Sequence, residues 1–421
     1  MIRREDIEIM APVGSYESLT AAIQGGADAV YLGIGTLNMR ARSANNFDEA
    51  DLQKIVEIAH SNGKKVYLTV NTIVYDNEFE AVRKTIDAAK QTGVEAIIAS
   101  DIAAIMYARS IGVDVHISTQ CNISNIEAVK FYSQFSDVVV LARELNINQV
   151  KYIHDQIVAQ NICGPSGKLV RIEMFAHGAL CMAVSGKCYL SLNNLGRSAN
   201  RGACLQVCRR SYLVKDAQTG LELEVDGKYI MSPKDLKTID FLDKLIEAGV
   251  SVLKIEGRAR SADYVKTVCS CYDEAVRAIA DGTYVEKGVG FWDDRLTRVF
   301  NRGFWDGYYQ GQTMGEWTDR YGNLATVKRV AIGTVRNYFS KIGVGEFVLE
   351  SDVLNKGDEV VVIGATTGVV EFTASELRTD KDPLEKVTKG DIFSMPIPSR
   401  IRRGDKLYKI VDSSKVNDGQ R

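Results

Sequence analysis

Over its first 260 residues the chain repeats one pattern. A short, β-branched apolar run gives way to a stretch with apolar residues at helical spacing, and another such run follows. The apolar runs lie at 7–12, 28–34, 65–71, 96–100, 114–119, 138–143, 170–177 and 251–256. Between them, Tyr16–Gly25, Ala50–Ser61, Glu78–Gln91 and Asn148–Ala159 carry helical spacing. Alternating strand and helix predicts parallel strands joined by right-handed crossovers. Eight strands over this length predict an α/β fold, a (β/α)8 TIM-like barrel, typically ~250 residues. A doubly wound open sheet is the alternative. No G-x-G-x-x-G follows the first strand, which argues against a dinucleotide-binding form of that sheet.

Polar residues gather where these strands end: Asn71, Ser100 and Asp101, Ser118 and Gln120, Arg143 and Glu144, His177, Glu256 and Arg258. In a barrel all these ends meet on one face, where the chemistry is done. Strand ends are also simply wet, so the argument rests on the set and not on any single residue. The unit from about Gly178 to Gly249 is far longer than a simple crossover and predicts an insertion after strand 7.

From about residue 325 short strands alternate with turns, at Val344–Glu350, Glu359–Ile363 and Val369–Thr373. This predicts a small C-terminal all-β barrel or sandwich. The expected division is residues 1–320 and 321–421. Lys/Arg-Gly-Asp triplets at 356–358, 389–391 and 403–405 punctuate the second part. A tight turn is expected at each, rather than an adhesion motif.

Composition adds limits. Apolar residues make up 45% and charged residues 25%, as in ordinary globular proteins. The formal charge is −2, so a nucleic-acid surface would have to be a local patch. Met1–Asp6 is charged with no apolar run behind it, and no stretch reaches the ~20 apolar residues of a membrane span. A cytoplasmic protein without a membrane partner is expected. There, eight cysteines point to metal or redox chemistry rather than disulfides.

Four of the cysteines cluster. Cys181, Cys188, Cys204 and Cys208 form C-x6-C-x15-C-x3-C within a glycine-rich polar loop. Four thiolates suit either a 4Fe–4S cluster or structural zinc. Zinc sites usually pair ligands as C-x2–4-C on both sides, so the wider first spacing favours a cluster. Buried inert thiols are the remaining reading. Cys121, Cys163, Cys269 and Cys271 lack matching spacing and read as structural. The C-x3-C-x2-C pattern of radical enzymes fails because position 211 is Ser. From Met174 to Lys215 there is no Asp or Glu, while Lys187, Arg197, Arg201, Arg209, Arg210 and Lys215 fall inside. Such a loop (174–215) attracts phosphates or anionic substrates and would also steady a negatively charged thiolate cluster.

Glu173–Ser191 resembles the signature of the collagenase-like peptidase family U32. Met10–Gly14, Gly25–Gly33, Asn38–Arg42 through Phe47, Leu141–Leu145, Ser232–Leu236, Leu253–Arg258 and Arg302–Gly307 are similar to further stretches of that family. The resemblance covers roughly residues 7–310. It implies an oxygen-independent hydroxylation protein with a 4Fe–4S cluster. Branches of the family act on 23S ribosomal RNA, on tRNA and on a ubiquinone precursor. The order of motifs and the C-terminal part look most like the tRNA branch, which makes 5-hydroxyuridine at the wobble position with prephenate as the implied hydroxyl source.

The resemblance carries the ligand role onto Cys181, Cys188, Cys204 and Cys208. Some relatives place a cysteine after Lys-Asp-Leu, where this chain has Lys237. The family's Arg-Asp-Ala-Asn element is Arg197-Ser-Ala-Asn200 here, so an acid is replaced by Ser198. Arg143, Glu144, His177, Lys254, Glu256 and Arg258 are the expected catalytic set. Arg40, Arg42, Asn71, Gln120, Arg197 and Arg201 are the expected substrate-binding set. Prephenate, a small anionic co-substrate, carries two carboxylates, and arginine suits bidentate carboxylate binding. A peptidase built on a Cys181–His177 pair is the competing enzyme. An RNA-binding scaffold with a structural cluster is the third reading. There is no H-E-x-x-H and no G-x-S-x-G.

Overall fold

The structure is a computed structural model. It describes residues 2–41, 47–210, 212, 214–215, 217–220, 222–223, 231–288, 290–319, 322–379 and 382–415. The barrel strands are β1 (Glu8–Pro12), β2 (Ala29–Leu32), β3 (Lys65–Val70), β4 (Ala96–Ala99), β5 (Val115–Ile117), β6 (Val138–Val140), β7 (Arg171–Ala179) and β8 (Val250–Ile255). They pair in parallel in chain order, and β8 pairs with both β1 and β7, which closes the barrel. Each predicted apolar run coincides with one of these strands, and no strand overruns its run by more than two residues at either end. The open-sheet alternative is thereby removed.

Helices α1 (Tyr16–Gln24), α2 (Glu49–Ser61), α3 (Phe79–Thr92), α4 (Ile102–Ser110), α5 (Ile126–Ser133), α6 (Ile147–Ala159), α7 (Leu242–Glu247) and α8 (Ala262–Ala280) follow the strands in turn. Their starts are chemically marked. The side chains of Ser15, Asp48, Asp101, Asn125 and Asn146 each accept a hydrogen bond from a backbone N–H of the first turn. The main core lies between helices and strands, where Leu19, Leu52, Ile86, Ile105, Val129 and Ile153 are buried against strand residues such as Ile9, Val30 and Ile97. A smaller core fills the barrel with Met10, Ala29, Tyr31, Tyr67, Ala96, Ile98, Val138 and Val252.

The insertion after β7 runs to α7. Its return segment Asp235–Lys237 pairs antiparallel with the end of β7 and parallel with Phe304–Trp305. Two separated sequence motifs, Ser232–Leu236 and Arg302–Gly307, therefore lie side by side and extend the barrel wall. Buried Asp235 joins them electrostatically to Arg260 and Arg302, 3.7 and 3.4 Å away. Burial raises the Asp235 carboxyl against these two cations.

The C-terminal part is all-β and antiparallel. Its strands are β9 (Val327–Phe339), β10 (Val344–Leu349), β11 (Glu359–Gly364), β12 (Gly368–Thr373), β13 (Ile392–Pro396) and β14 (Lys406–Asp412), in the order β12-β11-β14-β9-β10-β13. Ile332, Phe347, Val360, Val362, Phe393 and Leu407 form its own core. Val361 and Val369 face the other way and join the barrel core. The Gln24 amide donates to the Thr367 carbonyl at 2.8 Å and accepts from the Val369 N–H at 2.9 Å, tying α1 to this sheet. The three Lys/Arg-Gly-Asp triplets are tight turns. Gly357, Gly390 and Gly404 have φ of +92°, +97° and +91°. At each, the aspartate accepts from the backbone N–H three residues earlier at 2.7 Å. No helix among the described residues is long and apolar enough to cross a membrane.

Candidate active site at the barrel mouth

The C-terminal ends of the strands and the insertion above them enclose a cavity of about 190 Å³. Arg40, Asn71, Gln120, Arg143, Lys254, Glu256 and Arg258 line it, together with Cys181, Cys188, Cys204 and Cys208. Eleven of the residues expected from the sequence thus meet in one space.

The charged residues are held individually. Arg40 donates to Glu256 at 2.8 Å. Burial works against the Glu256 charge, yet Arg40, Arg260 and Arg143 hold its carboxyl below the usual range. Lys254 donates to Glu173 at 2.6 Å, with the Tyr31 and Phe175 rings over its ammonium. Glu173 is fully buried. Burial pushes its carboxyl up, but Lys254 and His116 keep it below its ordinary value. Its second oxygen lies 3.6 Å from His116 Nδ1, and neither atom has a hydrogen-bond partner. Arg143 donates to Ser185 of the insertion at 2.9 Å and stacks over Phe175. Arg258 is buried and donates to the Thr69 hydroxyl at 3.0 Å. Burial lowers its guanidinium to about 10. Room for it is made at Gly33, where a Cβ would stand 2.5 Å from the guanidinium.

Arg40, Arg143, Arg209, Lys254 and Arg258 face the cavity against the single lining carboxylate, Glu256. Glu173 offsets Lys254 from behind. The lining therefore carries an excess of positive charge, which attracts anions.

The insertion forms the roof and is pinned to three strand-end loops. The Ile73 N–H donates to the Asn200 carbonyl at 3.1 Å. Gly202, with φ +76°, lies so close to the Asn38 carbonyl that a Cβ would come within 2.4 Å. Gly186 packs on Gln120. Gln120 and Asn71 hydrogen-bond to each other, at 2.9 and 3.2 Å, so both also brace the loops. Arg209 donates to the Leu180 carbonyl and to Ser232. Burial raises the Cys188 and Cys208 thiols, Cys208 to about 11, and the neighbouring cysteines add to the rise. These four thiols are the residues that could hold a cofactor. Among the described residues no group of three or more His, Cys, Asp or Glu side chains is arranged to hold a metal ion.

The remaining expected residues lie elsewhere. His177 does not reach the cavity. It is buried among Tyr264, Tyr272 and Phe304, and burial, with Lys237 and Arg260 nearby, lowers it to about 3. The cause is an irregularity between β7 and β8. Phe175 pairs with Lys254 and His177 with the next residue, Ile255, so Ala176 is extra. One extra residue turns the following side chain to the opposite face. Glu144 is exposed and lines a separate small crevice beside Cys181. Arg197 is exposed outside the cavity. Arg201 is a bracket: it forks onto Glu78 and stacks 3.8 Å from the Tyr75 ring centroid. Arg42 lies outside the described residues. Sequence reasoning missed Glu173 and His116, and had Arg209 only among the cations of the insertion. Glu173 carried a signal, as a lone acid inside an apolar strand run.

Residues 14–319 match the family described as "Peptidase family U32". A protein of Porphyromonas gingivalis named "Collagenase" is 61% identical, over 96% of this chain and 98% of that one. "tRNA hydroxylation protein P1" of Bacillus subtilis is 33% identical over 95% of each chain. A 23S rRNA 5-hydroxycytidine synthase of Escherichia coli is 37% identical, over 74% of this chain and 46% of that one. With a family match over most of its barrel and a relative this similar along nearly its whole length, the chain belongs to peptidase family U32.

Proposed function

We propose that this protein is an RNA-modifying enzyme that hydroxylates a tRNA base without molecular oxygen. On this reading Cys181, Cys188, Cys204 and Cys208 hold a 4Fe–4S cluster. The observation that carries it is that four thiols and an excess of cations line one cavity. The donor set, all sulfur and all on one roof, fits an iron–sulfur cluster in kind. When bound, such a cluster would supply electron transfer beside the substrate. Arg258 from the floor and Arg143 from the wall would grip the carboxylates of a small anionic co-substrate, prephenate being the one implied by the family resemblance. Arg40 keeps Glu256 ionised, and Glu173 keeps the Lys254 ammonium aimed at the cavity. Relatives named for tRNA and rRNA hydroxylation support the substrate class, and 5-hydroxyuridine at the wobble position is the expected product.

Anaerobic purification with iron and sulfide analysis tests this directly. About four irons per chain, lost in a Cys204→Ala/Cys208→Ala variant, are expected. A second measurement is nucleoside analysis of tRNA from cells with and without the gene. No iron, or zinc alone, in the anaerobic protein sinks the proposal.

The name of the 61% identical relative favours a peptidase as the second reading. Its nucleophile and base would be Cys181 and His177. The aromatic cage around His177 separates that imidazole from the cavity, which weakens this reading.

A further inference from the structure

The outer side of the insertion carries a groove of about 470 Å³, lined in part by Lys187, Cys188, Tyr189, Leu190 and Leu192. Cys188 and Leu190 also line the central cavity, so groove and cavity adjoin. Tyr189 is 75% exposed, against 60% for Tyr152 and 55% for Tyr75. Leu192, on the helix that follows, is exposed as well. Lys187 is exposed beside the tyrosine, and Arg197 is exposed just beyond the helix end. Neither cation forms an ion pair among the described residues, unlike Arg201, which pairs with Glu78; Arg209 is spent on the Leu180 carbonyl and Ser232. No carboxylate occurs anywhere from Met174 to Lys215 to repel an anionic chain.

An exposed ring flanked by unpaired cations in an acid-free segment matches how single-stranded RNA is held. Bases stack on aromatic faces while cations follow the backbone. We propose that this groove is a docking platform for a single-stranded RNA loop, with a base stacked on Tyr189 and phosphates beside Lys187 and Arg197. The proposal rests on the RNA reading above and deepens it: a nucleotide next to the modified one is held outside while the target base enters the cavity.

The test uses the anaerobically purified full chain and a fluorescent anticodon stem–loop RNA, with anisotropy followed over a salt series. Tyr189→Ala is expected to weaken binding about tenfold, and Tyr189→Phe to retain it. Lys187→Ala/Arg197→Ala is expected to reduce the log–log salt slope by about 1.4, or ~0.7 per lost phosphate contact. Iron content and melting temperature should stay at parental values in all three, since these side chains are exposed. If the parent binds RNA while Tyr189→Ala binds within twofold and the double variant keeps the parental slope, the platform is overturned and the RNA reading stands. If the parent binds no RNA but binds a gelatin peptide, both fall and the groove becomes a peptide site.

Discussion

On the proposed function, Arg258 and Arg143 are the residues that would grip the small anion. A buried guanidinium whose partner is a neutral hydroxyl has charge to spare, and Arg143 likewise spends its hydrogen bond on a serine. Under the proposed function, Arg143→Ala removes one charge-assisted contact worth about 1.5–3 kcal/mol. The expected result is a fall of about 10- to 100-fold in kcat/KM for the small anion, read from hydroxylated nucleoside at varied prephenate. An unchanged value would remove Arg143 from the binding set. His177 makes a different prediction, one about stability. It is neutral in the fold, with its pKa lowered to about 3, whereas an unfolded histidine titrates near 6.5. Its contribution is therefore complete above pH ~6.5 and is lost as pH falls toward 3, by up to about 4 kcal/mol. His177→Phe should flatten the melting temperature between pH 6.5 and 4. A parallel profile would place the acid sensitivity of that window elsewhere; Glu8 acts at lower pH. Burial pushes the Glu8 carboxyl up, but Arg171, Lys65 and Tyr67 hold it at about 2, so its share is lost only below the ordinary glutamate range.

Most of the cavity residues were legible for one physical reason: parallel strands in a barrel point the same way, so polar residues at strand ends converge. Arg143, Lys254, Glu256 and Arg258 needed nothing more. His177 was misread because the period-two rule fails at the extra residue Ala176, and no local composition announces that slip. Arg201 was misread because its partner Glu78 is 123 positions away, and a salt bridge across that distance has no sequence signature.

At the scale of elements, the insertion is the part whose order depends on others. Among the described residues it holds a six-residue helix, short 3-10 turns and short strand pieces of its own. Its shape is set by carbonyls, glycines and Arg201 meeting the loops after β2, β3 and β5. Gly202→Ala tests this. The new methyl would meet the Asn38 carbonyl at 2.4 Å, on a backbone whose φ is +76°. Faster hydrogen exchange across residues 186–210, with barrel strands unchanged, is the expected outcome. Unchanged exchange would show that the roof does not rest on Asn38. The length and glycine content of this segment marked it as an insertion, but its footing depends on loops far away in sequence. The C-terminal strands, by contrast, were legible because alternation and Gly-Asp turns are local signals.

For the whole molecule, the antiparallel sheet behaves as a layer of the barrel. Val361 and Val369 are buried in the barrel's own core, and Gln24 and Lys266 hold the Gly368–Val369 turn from α1 and α8. Val369→Ala should cost about 1–3 kcal/mol and shift a single calorimetric transition that contains both parts. Two resolved transitions would show that the parts melt independently. The sequence divides near residue 320 by pattern alone, and pattern carries no information about which faces of the two parts are shared.

The roof's three footings have one more effect. A clamp resting on several supports transmits tightening to each of them. On the proposed reading, drawing four thiols together around a cluster would pull on the loops at Asn38, Ile73 and Gln120 at once. Loss of iron would then slacken the walls of the anion cavity as well as its ceiling. An oxidant that damaged only the cysteines would weaken the grip that Arg143 and Arg258 exert on the substrate.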